Sequence, residues 1–125
     1  MKLLIVDDSK AARMLIKSIL LDYDSEMELM EASNGEEGVA LYLQEQPDIV
    51  FLDLTMPIMD GYEALEKILS INPNAQVVVL TADIQVKSVQ RCMNLGAYKV
   101  VKKLPDKQAV HGLLDELKKT TEGLM

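Results

Sequence analysis

Two short apolar runs in this chain each end in aspartate, and these acids are the first residues whose types could do chemistry. One run, residues 3–6, stops at Asp7 and Asp8, and the other, residues 49–52, stops at Asp53. Negative charge at the end of a buried strand is costly unless something compensates it. If the two strand ends are neighbours, repulsion among three acids must be relieved by a raised pKa or by a bound cation.

A cage of carboxylate oxygens suits a hard cation such as Mg²⁺. We therefore expect Asp7 and Asp8 to hold a metal ion, directly or through water. Asp53 would be both a metal ligand and a possible nucleophile. At two further strand ends, Thr81 could donate a hydrogen bond to a phosphoryl oxygen, and Lys103 could balance the acids and hold the same oxygens. Placement and charge neutralisation of this kind are what phosphoryl transfer needs.

The hydrophobic pattern predicts the strands and helices that position these residues. Apolar runs at 2–6, 48–52 and 77–80 are typical of strands buried on both faces, residues 26–32 alternate like a half-exposed edge strand, and 98–102 completes five. Apolar residues at helical spacing predict a helix after each strand. These begin after Ser9, near 35–45, 61–70 and 84–95, and from Pro105 or Asp106 onward.

Five successive strand–helix units predict an α/β, flavodoxin-like, doubly wound fold: a five-stranded parallel sheet with helices on both faces. Ligands of such sheets bind beyond the carboxyl ends of the strands. The strand order 2-1-3-4-5 would put the strand at 26–32 on the edge and the four chemically useful ends side by side. We expect residues 1–125 to form a single domain with no attached output domain.

The composition excludes several classes of function. A formal net charge of −7 over 125 residues argues against a nucleic-acid surface, which needs clustered Lys and Arg. The only cysteine, Cys92, can form neither an internal disulfide nor a zinc site alone, and we expect it to be buried on its helix. The first apolar run is too short for a signal peptide or a membrane span. A cytoplasmic protein is expected.

Four segments follow one another along essentially the whole chain: residues 4–9, 51–61, 80–82 and 96–97, the last with Lys103 seven positions after Gly96. In these segments the chain resembles receiver domains of two-component response regulators, of the CheY-like kind. The resemblance implies that Asp53 accepts a phosphoryl group from a histidine of a sensor kinase. It also implies a Mg²⁺ site made of four residues: Asp8, Asp53, the backbone carbonyl of Thr55, and Asp7 through water.

By the same resemblance, Thr81 would move toward the phosphoryl group and Lys103 would pair with it. The implied function is a stand-alone phosphorylation switch rather than an enzyme. Phosphorylation of Asp53 adds about one to two negative charges and would change the affinity for a downstream protein partner.

Two positions depart from the family pattern. Lys103 is followed by Leu104, where the family has a proline after a cis bond, so the sequence leaves open whether this bond is cis or trans. The aromatic switch position of the family is Val100 here, and Tyr98, two residues away, is expected to share its strand face. Lys102 competes with Lys103 for the lysine role, but on a strand the two point to opposite faces.

Two other classes of function remain open on the residues. A metal-dependent phosphatase-like enzyme with an aspartyl nucleophile would commonly carry a second Asp two residues on, where this chain has Thr55. A flavin-binding module of the same fold would want a phosphate loop after the first strand, where Asp7 and Asp8 would repel the phosphate. In the last helix, Gly112 costs about 1 kcal/mol relative to Ala, for which close packing is the expected reason.

Overall fold

The computed structural model describes the backbone of residues 1–123 and the side chains as far as residue 119. Strands and helices alternate along the chain, as the sequence predicts. The elements are β1 (Lys2–Val6), α1 (Lys10–Tyr23), β2 (Glu28–Ala32), α2 (Gly35–Glu45), β3 (Ile49–Asp53), α3 (Gly61–Ile71), β4 (Val77–Thr81), α4 (Val86–Leu95), β5 (Lys99–Lys102) and α5 (Lys107–Gly123). All four strand pairings are parallel, in the order β2-β1-β3-β4-β5. The predicted flavodoxin-like α/β fold is confirmed. The last two positions of the predicted domain, 124–125, lie outside the described residues.

Alternate residues of the central strands point to opposite faces of the sheet and build two separate cores. In β1, Leu4 and Val6 pack with α2, α3 and α4, while Leu3 and Ile5 pack with α1 and α5. Strands β1, β3 and β4 are buried almost throughout, whereas β2 keeps exposed positions. This burial pattern explains why the central strands are continuously apolar and the edge strand alternates.

Side-chain caps determine where helices α1, α2 and α3 begin. They therefore also determine where the loop before each of these helices ends. Ser9 accepts a hydrogen bond from the amide of Ala12, Asn34 from Glu37 and Asp60 from Glu63. Each cap satisfies an amide that the helix itself cannot. The loop between β1 and α1 is consequently held to three residues, 7–9.

The loop after β3 is held against its neighbours by two glycines that have no room for a side chain. A Cβ on Gly61 would lie 2.3 Å from the carbonyl oxygen of Asp53, and one on Gly35 would lie 2.4 Å from that of Met59. The Gly61 amide donates to the carbonyl of Leu54 at 2.8 Å. Helix α3 therefore begins directly against the end of the strand that carries Asp53.

Two sequence-based expectations on the last strand and helix are wrong. Tyr98 packs on the α1–α5 side of the sheet whereas Val100 packs on the opposite side, because the strand begins only at Lys99 and Tyr98 precedes it. Gly112 has nothing within 4 Å of the position a Cβ would take, so close packing does not explain it. Cys92 is fully buried, as expected. No helix within residues 1–123 is both long enough and apolar enough to cross a membrane.

Candidate functional site

Three carboxylates meet at the carboxyl end of the sheet. Strands β1 and β3 are neighbours with Val6 opposite Leu52, so the residues that follow, Asp7 and Asp53, lie side by side. One carboxylate oxygen from each of Asp7, Asp8 and Asp53 lies within 4.8 Å of the others. Asp7 and Asp53 are buried and Asp8 is exposed. The structure thus brings together the three acids that the sequence placed at one edge.

The lysine that enters this cluster is Lys103. Its Nζ atom lies 2.8 Å from Asp7 Oδ2 and 3.4 Å from Asp53 Oδ2, and its side chain is only 20% exposed. Its backbone amide donates to the carbonyl of Thr81 at 2.8 Å, which anchors the residue to the neighbouring strand. Lys102 is exposed, so it is Lys103 that neutralises the buried acids. The peptide bond between Lys103 and Leu104 is cis.

The contacts within the cluster shift the pKa values of Asp53 and Lys103. Burial, and after it the negative charge of Asp7, raises the pKa of Asp53, although Lys103 and the backbone amide of Thr55 act in the opposite direction. Burial alone would lower the pKa of Lys103, but its hydrogen bond to Asp7 and the charge of Asp53 outweigh burial and raise it. A bound cation would stabilise the charged form of the Asp53 carboxylate and so act against this rise in pKa.

Asp7 is fixed on every side by its neighbours. Its amide donates to the carbonyl of Ala32 at 3.0 Å, and its Oδ1 accepts from the amide of Ser9 at 2.9 Å. The guanidinium of Arg13 donates from Nη1 to the Asp7 carbonyl at 2.7 Å. The sequence analysis missed Arg13, because only the position of α1 against the end of β1 brings this side chain to the loop.

The two threonines of the predicted site line one pocket. The buried Thr81 hydroxyl oxygen accepts a hydrogen bond from the amide of Asp83 at 3.0 Å, rather than contacting the acids. Thr81, Thr55 and Asp83 line a pocket of about 340 Å³. Thr55 is exposed and reaches Asp53 through its backbone amide. Thr55 therefore connects this pocket to Asp53 through its backbone amide.

The position three residues before the lysine holds Val100, which is partly buried against the core on the side of α2, α3 and α4. Tyr98 lies on the other side of the sheet, where its hydroxyl donates to the carboxylate of Glu116 on α5. The hydrogen bond to Glu116, with burial a smaller cause, raises the pKa of Tyr98 to about 12. The hydrogen bond of Tyr98 therefore connects the residue before β5 to α5. Tyr98 does not replace an aromatic residue at position 100.

A doubly wound parallel sheet with three acids and one lysine at its carboxyl edge is the arrangement of a response regulator receiver domain. The family model of that domain matches residues 3–115, and the chain belongs to this family. The chemotaxis protein CheY of Listeria monocytogenes is 46% identical over 97 residues, which cover 78% of this chain and 81% of that protein. The CheY of Thermotoga maritima is 41% identical over 96 residues, which cover 77% and 79%.

The fold comparison agrees with the sequence comparison. The structure of a CheX–CheY–BeF₃–Mg²⁺ complex from Borrelia burgdorferi contains a chain that superposes with a TM-score of 0.84 at 30% identity. The match covers 97% of this chain and 88% of that one. The predicted resemblance to CheY-like receiver domains is therefore confirmed.

Proposed function

We propose that this chain is a phosphorylation switch in which Asp53 accepts a phosphoryl group from a sensor histidine kinase. The observation that carries the proposal is the contact of Lys103 with Asp7 and Asp53, beside the exposed Asp8. This arrangement places the buried Asp53 carboxylate next to the Lys103 ammonium and beside two further acids that would help to hold a metal ion. Receiver domains act generally as phosphoacceptors, and the family membership supports the same role here.

The residues present fit a magnesium ion. The donors are carboxylate oxygens, which Mg²⁺ prefers, and the three carboxylates outnumber the single lysine that compensates them. The residues that would hold the ion are Asp8, Asp53 and the backbone carbonyl of Thr55, with Asp7 acting through water. Bound there, the ion would neutralise charge on the phosphoryl oxygens during transfer.

In the transfer itself, a carboxylate oxygen of Asp53 attacks the phosphorus of a phosphohistidine. A new bond forms between that oxygen and phosphorus while the nitrogen–phosphorus bond breaks. The electron pair of the broken bond returns to the imidazole nitrogen, which takes up a proton from solvent. Lys103, already 3.4 Å from Asp53 Oδ2, can turn to an oxygen of the new phosphoryl group, and the Thr81 hydroxyl can donate to another.

The phosphoryl group then changes what the surface offers to a partner. New negative charge at Asp53 would draw Thr81 and the loop after β4 toward the site, and α4 follows that loop directly. A downstream protein that binds only the phosphorylated form would bind after this change and not before it. We further propose that the switch works in the cytoplasm.

Intact-mass analysis after incubation with acetyl phosphate and Mg²⁺ tests the proposal. We expect one phosphoryl adduct per chain, lost in Asp53→Asn and lost when the metal is chelated. Asp106→Asn is the matched control: Asp106 is an exposed aspartate that caps α5, and asparagine caps equally well. An adduct that survives in Asp53→Asn would contradict the assignment of the acceptor. Continued release of phosphate beyond one equivalent from a generic phosphate ester would instead indicate the phosphatase-like enzyme.

A further inference from the structure

The side chain of Arg13 joins the acidic cluster to the end of the edge strand. From the first turns of α1 its Nη1 donates to the carbonyl of Asp7 at 2.7 Å, and its Nε donates to Glu31 Oε1 at 3.1 Å. Glu31 lies on β2, next to Ala32, whose carbonyl accepts from the amide of Asp7. The Arg13 side chain is only 15% exposed, so one half-buried guanidinium bridges two strand ends.

The carbonyl that Arg13 holds belongs to the peptide group between Asp7 and Asp8. A peptide group is planar, so holding its oxygen also restrains the amide nitrogen and the Cα atom of Asp8, from which the Asp8 side chain leaves the backbone. Within residues 1–119, the Asp8 carboxylate has no hydrogen bond or ion pair of its own. The backbone, rather than a side-chain partner, must therefore hold Asp8 near Asp7 and Asp53.

Without a metal, charge repulsion favours an Asp8 side chain that turns away into solvent. A fixed Asp7–Asp8 peptide limits that movement before any cation arrives. A metal ligand that is already ordered improves affinity, because binding then loses less conformational entropy. Groups that orient metal ligands without touching the metal commonly change metal affinity by roughly 10–100-fold.

We propose that Arg13 is a positioning residue for the metal site, holding Asp8 in place through the Asp7 carbonyl, with Glu31 holding Arg13 in turn. The inference rests on the proposed function, because it assumes that the cluster binds Mg²⁺. Glu31 suits this role. Although burial alone would raise the pKa of Glu31, its hydrogen bonds to Lys17 and Arg13 lower it and keep it charged.

Positioning and simple electrostatics predict opposite results when Arg13 is replaced. Arg13 carries positive charge close to a cation site, so by Coulomb's law alone its removal should tighten Mg²⁺ binding. If Arg13 positions Asp8, its removal should weaken binding. Lys17 provides the matched control, because its ammonium binds the same Glu31 at 3.1 Å but does not reach the Asp7–Asp8 peptide.

Isothermal titration of the full chain with Mg²⁺, without any phosphodonor, makes the comparison. We expect Arg13→Met to weaken Mg²⁺ binding by about tenfold, and Lys17→Met to leave it unchanged or slightly tighter. Circular dichroism checks that both variants are folded. Equal or tighter binding by Arg13→Met would overturn the proposal while leaving the metal site intact. No heat of binding in the wild-type chain would overturn the metal site itself, and this inference with it.

Arg13→Lys covers the case in which Arg13→Met does not fold. Lysine conserves the charge and the aliphatic stem, but one ammonium cannot reproduce a fork that reaches two acceptors. We expect it to weaken Mg²⁺ binding severalfold, in the same direction as Arg13→Met. Wild-type affinity in Arg13→Lys would overturn the bridging role.

Discussion

The ammonium of Lys103 lies closer to Asp7 than to Asp53, at 2.8 Å against 3.4 Å. Asp7 is therefore its principal partner before phosphorylation, and Asp53 shares only part of its charge. Two buried acids that share one cation leave the charge of the Asp53 carboxylate, the proposed acceptor, only partly compensated. The same geometry would let Lys103 contact a phosphoryl group on Asp53 while it stays close to Asp7.

Lys103→Met removes that shared cation and leaves two buried carboxylates to repel each other. We expect the free energy of unfolding without Mg²⁺ to fall by about 2 kcal/mol, between the values typical of exposed and of fully buried ion pairs. Added Mg²⁺ should restore part of the loss, because an ion that binds only the folded chain stabilises it. Urea unfolding with and without Mg²⁺ measures both effects.

Lys102→Met is the matched control for this experiment. Lys102 is the preceding residue of the chain and is exposed, so its loss should change stability little. A larger destabilisation in Lys102→Met than in Lys103→Met would contradict the assignment of Lys103 as the compensating cation.

Asp53→Asn should stabilise the metal-free protein at neutral pH. The pKa of Asp53 is raised on folding by burial and by Asp7, so the folded state binds more protons than the unfolded state between the two pKa values. Its contribution to stability is therefore favourable at low pH and is lost as pH rises through that window. The stability advantage of Asp53→Asn over wild type should be present at pH 7 and shrink as the pH falls toward the usual pKa of an aspartate.

Urea unfolding of the two proteins across this pH range, in chelator, gives the difference directly. The difference between variant and wild type cancels the titration of groups that the substitution does not touch. Added Mg²⁺ should reduce the difference in free energy of unfolding at pH 7, since the metal stabilises the wild-type chain. A wild-type chain more stable than Asp53→Asn at pH 7 without metal would contradict a raised pKa.

The fold could be predicted from the sequence because its strongest signals are local. Continuous apolar runs identify strands buried on both faces, and Ser9, Asn34 and Asp60 mark helix starts by their chemistry. Helix α4 was predicted two residues too early, at 84 rather than Val86. Its N-cap, Gln85, makes no side-chain cap bond, so no residue marks that boundary.

The sequence predicts only those parts of the site that lie at the ends of strands. Strand order brings Asp7, Asp53 and Lys103 to one edge, and alternation separates Lys103 from Lys102. The contact between Arg13 and the Asp7 carbonyl depends on how α1 packs on the sheet, and nothing in the spacing of those residues encodes that. The same holds for Tyr98, whose side of the sheet depends on where β5 begins.

Gly61→Ala tests how closely α3 must approach the end of β3. The new Cβ would lie 2.3 Å from the carbonyl oxygen of Asp53 and 2.5 Å from the Cα of Leu54, both backbone atoms that cannot turn aside. We expect a loss of about 3 kcal/mol or more, as for overpacking in a site that cannot relax. Urea unfolding measures the loss, and a change below about 0.5 kcal/mol, the range of ordinary surface substitutions, would show that α3 can move away at little cost.

Gly112→Ala is the same substitution with the opposite expected sign. Gly112 lies exposed inside α5, and a Cβ there would meet nothing within 4 Å. Alanine should raise the free energy of unfolding by about 1 kcal/mol, because it loses less backbone entropy than glycine on entering a helix. The variant should accept phosphoryl groups from acetyl phosphate at the wild-type rate, since the added Cβ would contact no other residue. A destabilised Gly112→Ala would mean that the helix needs glycine at this position for a reason other than space.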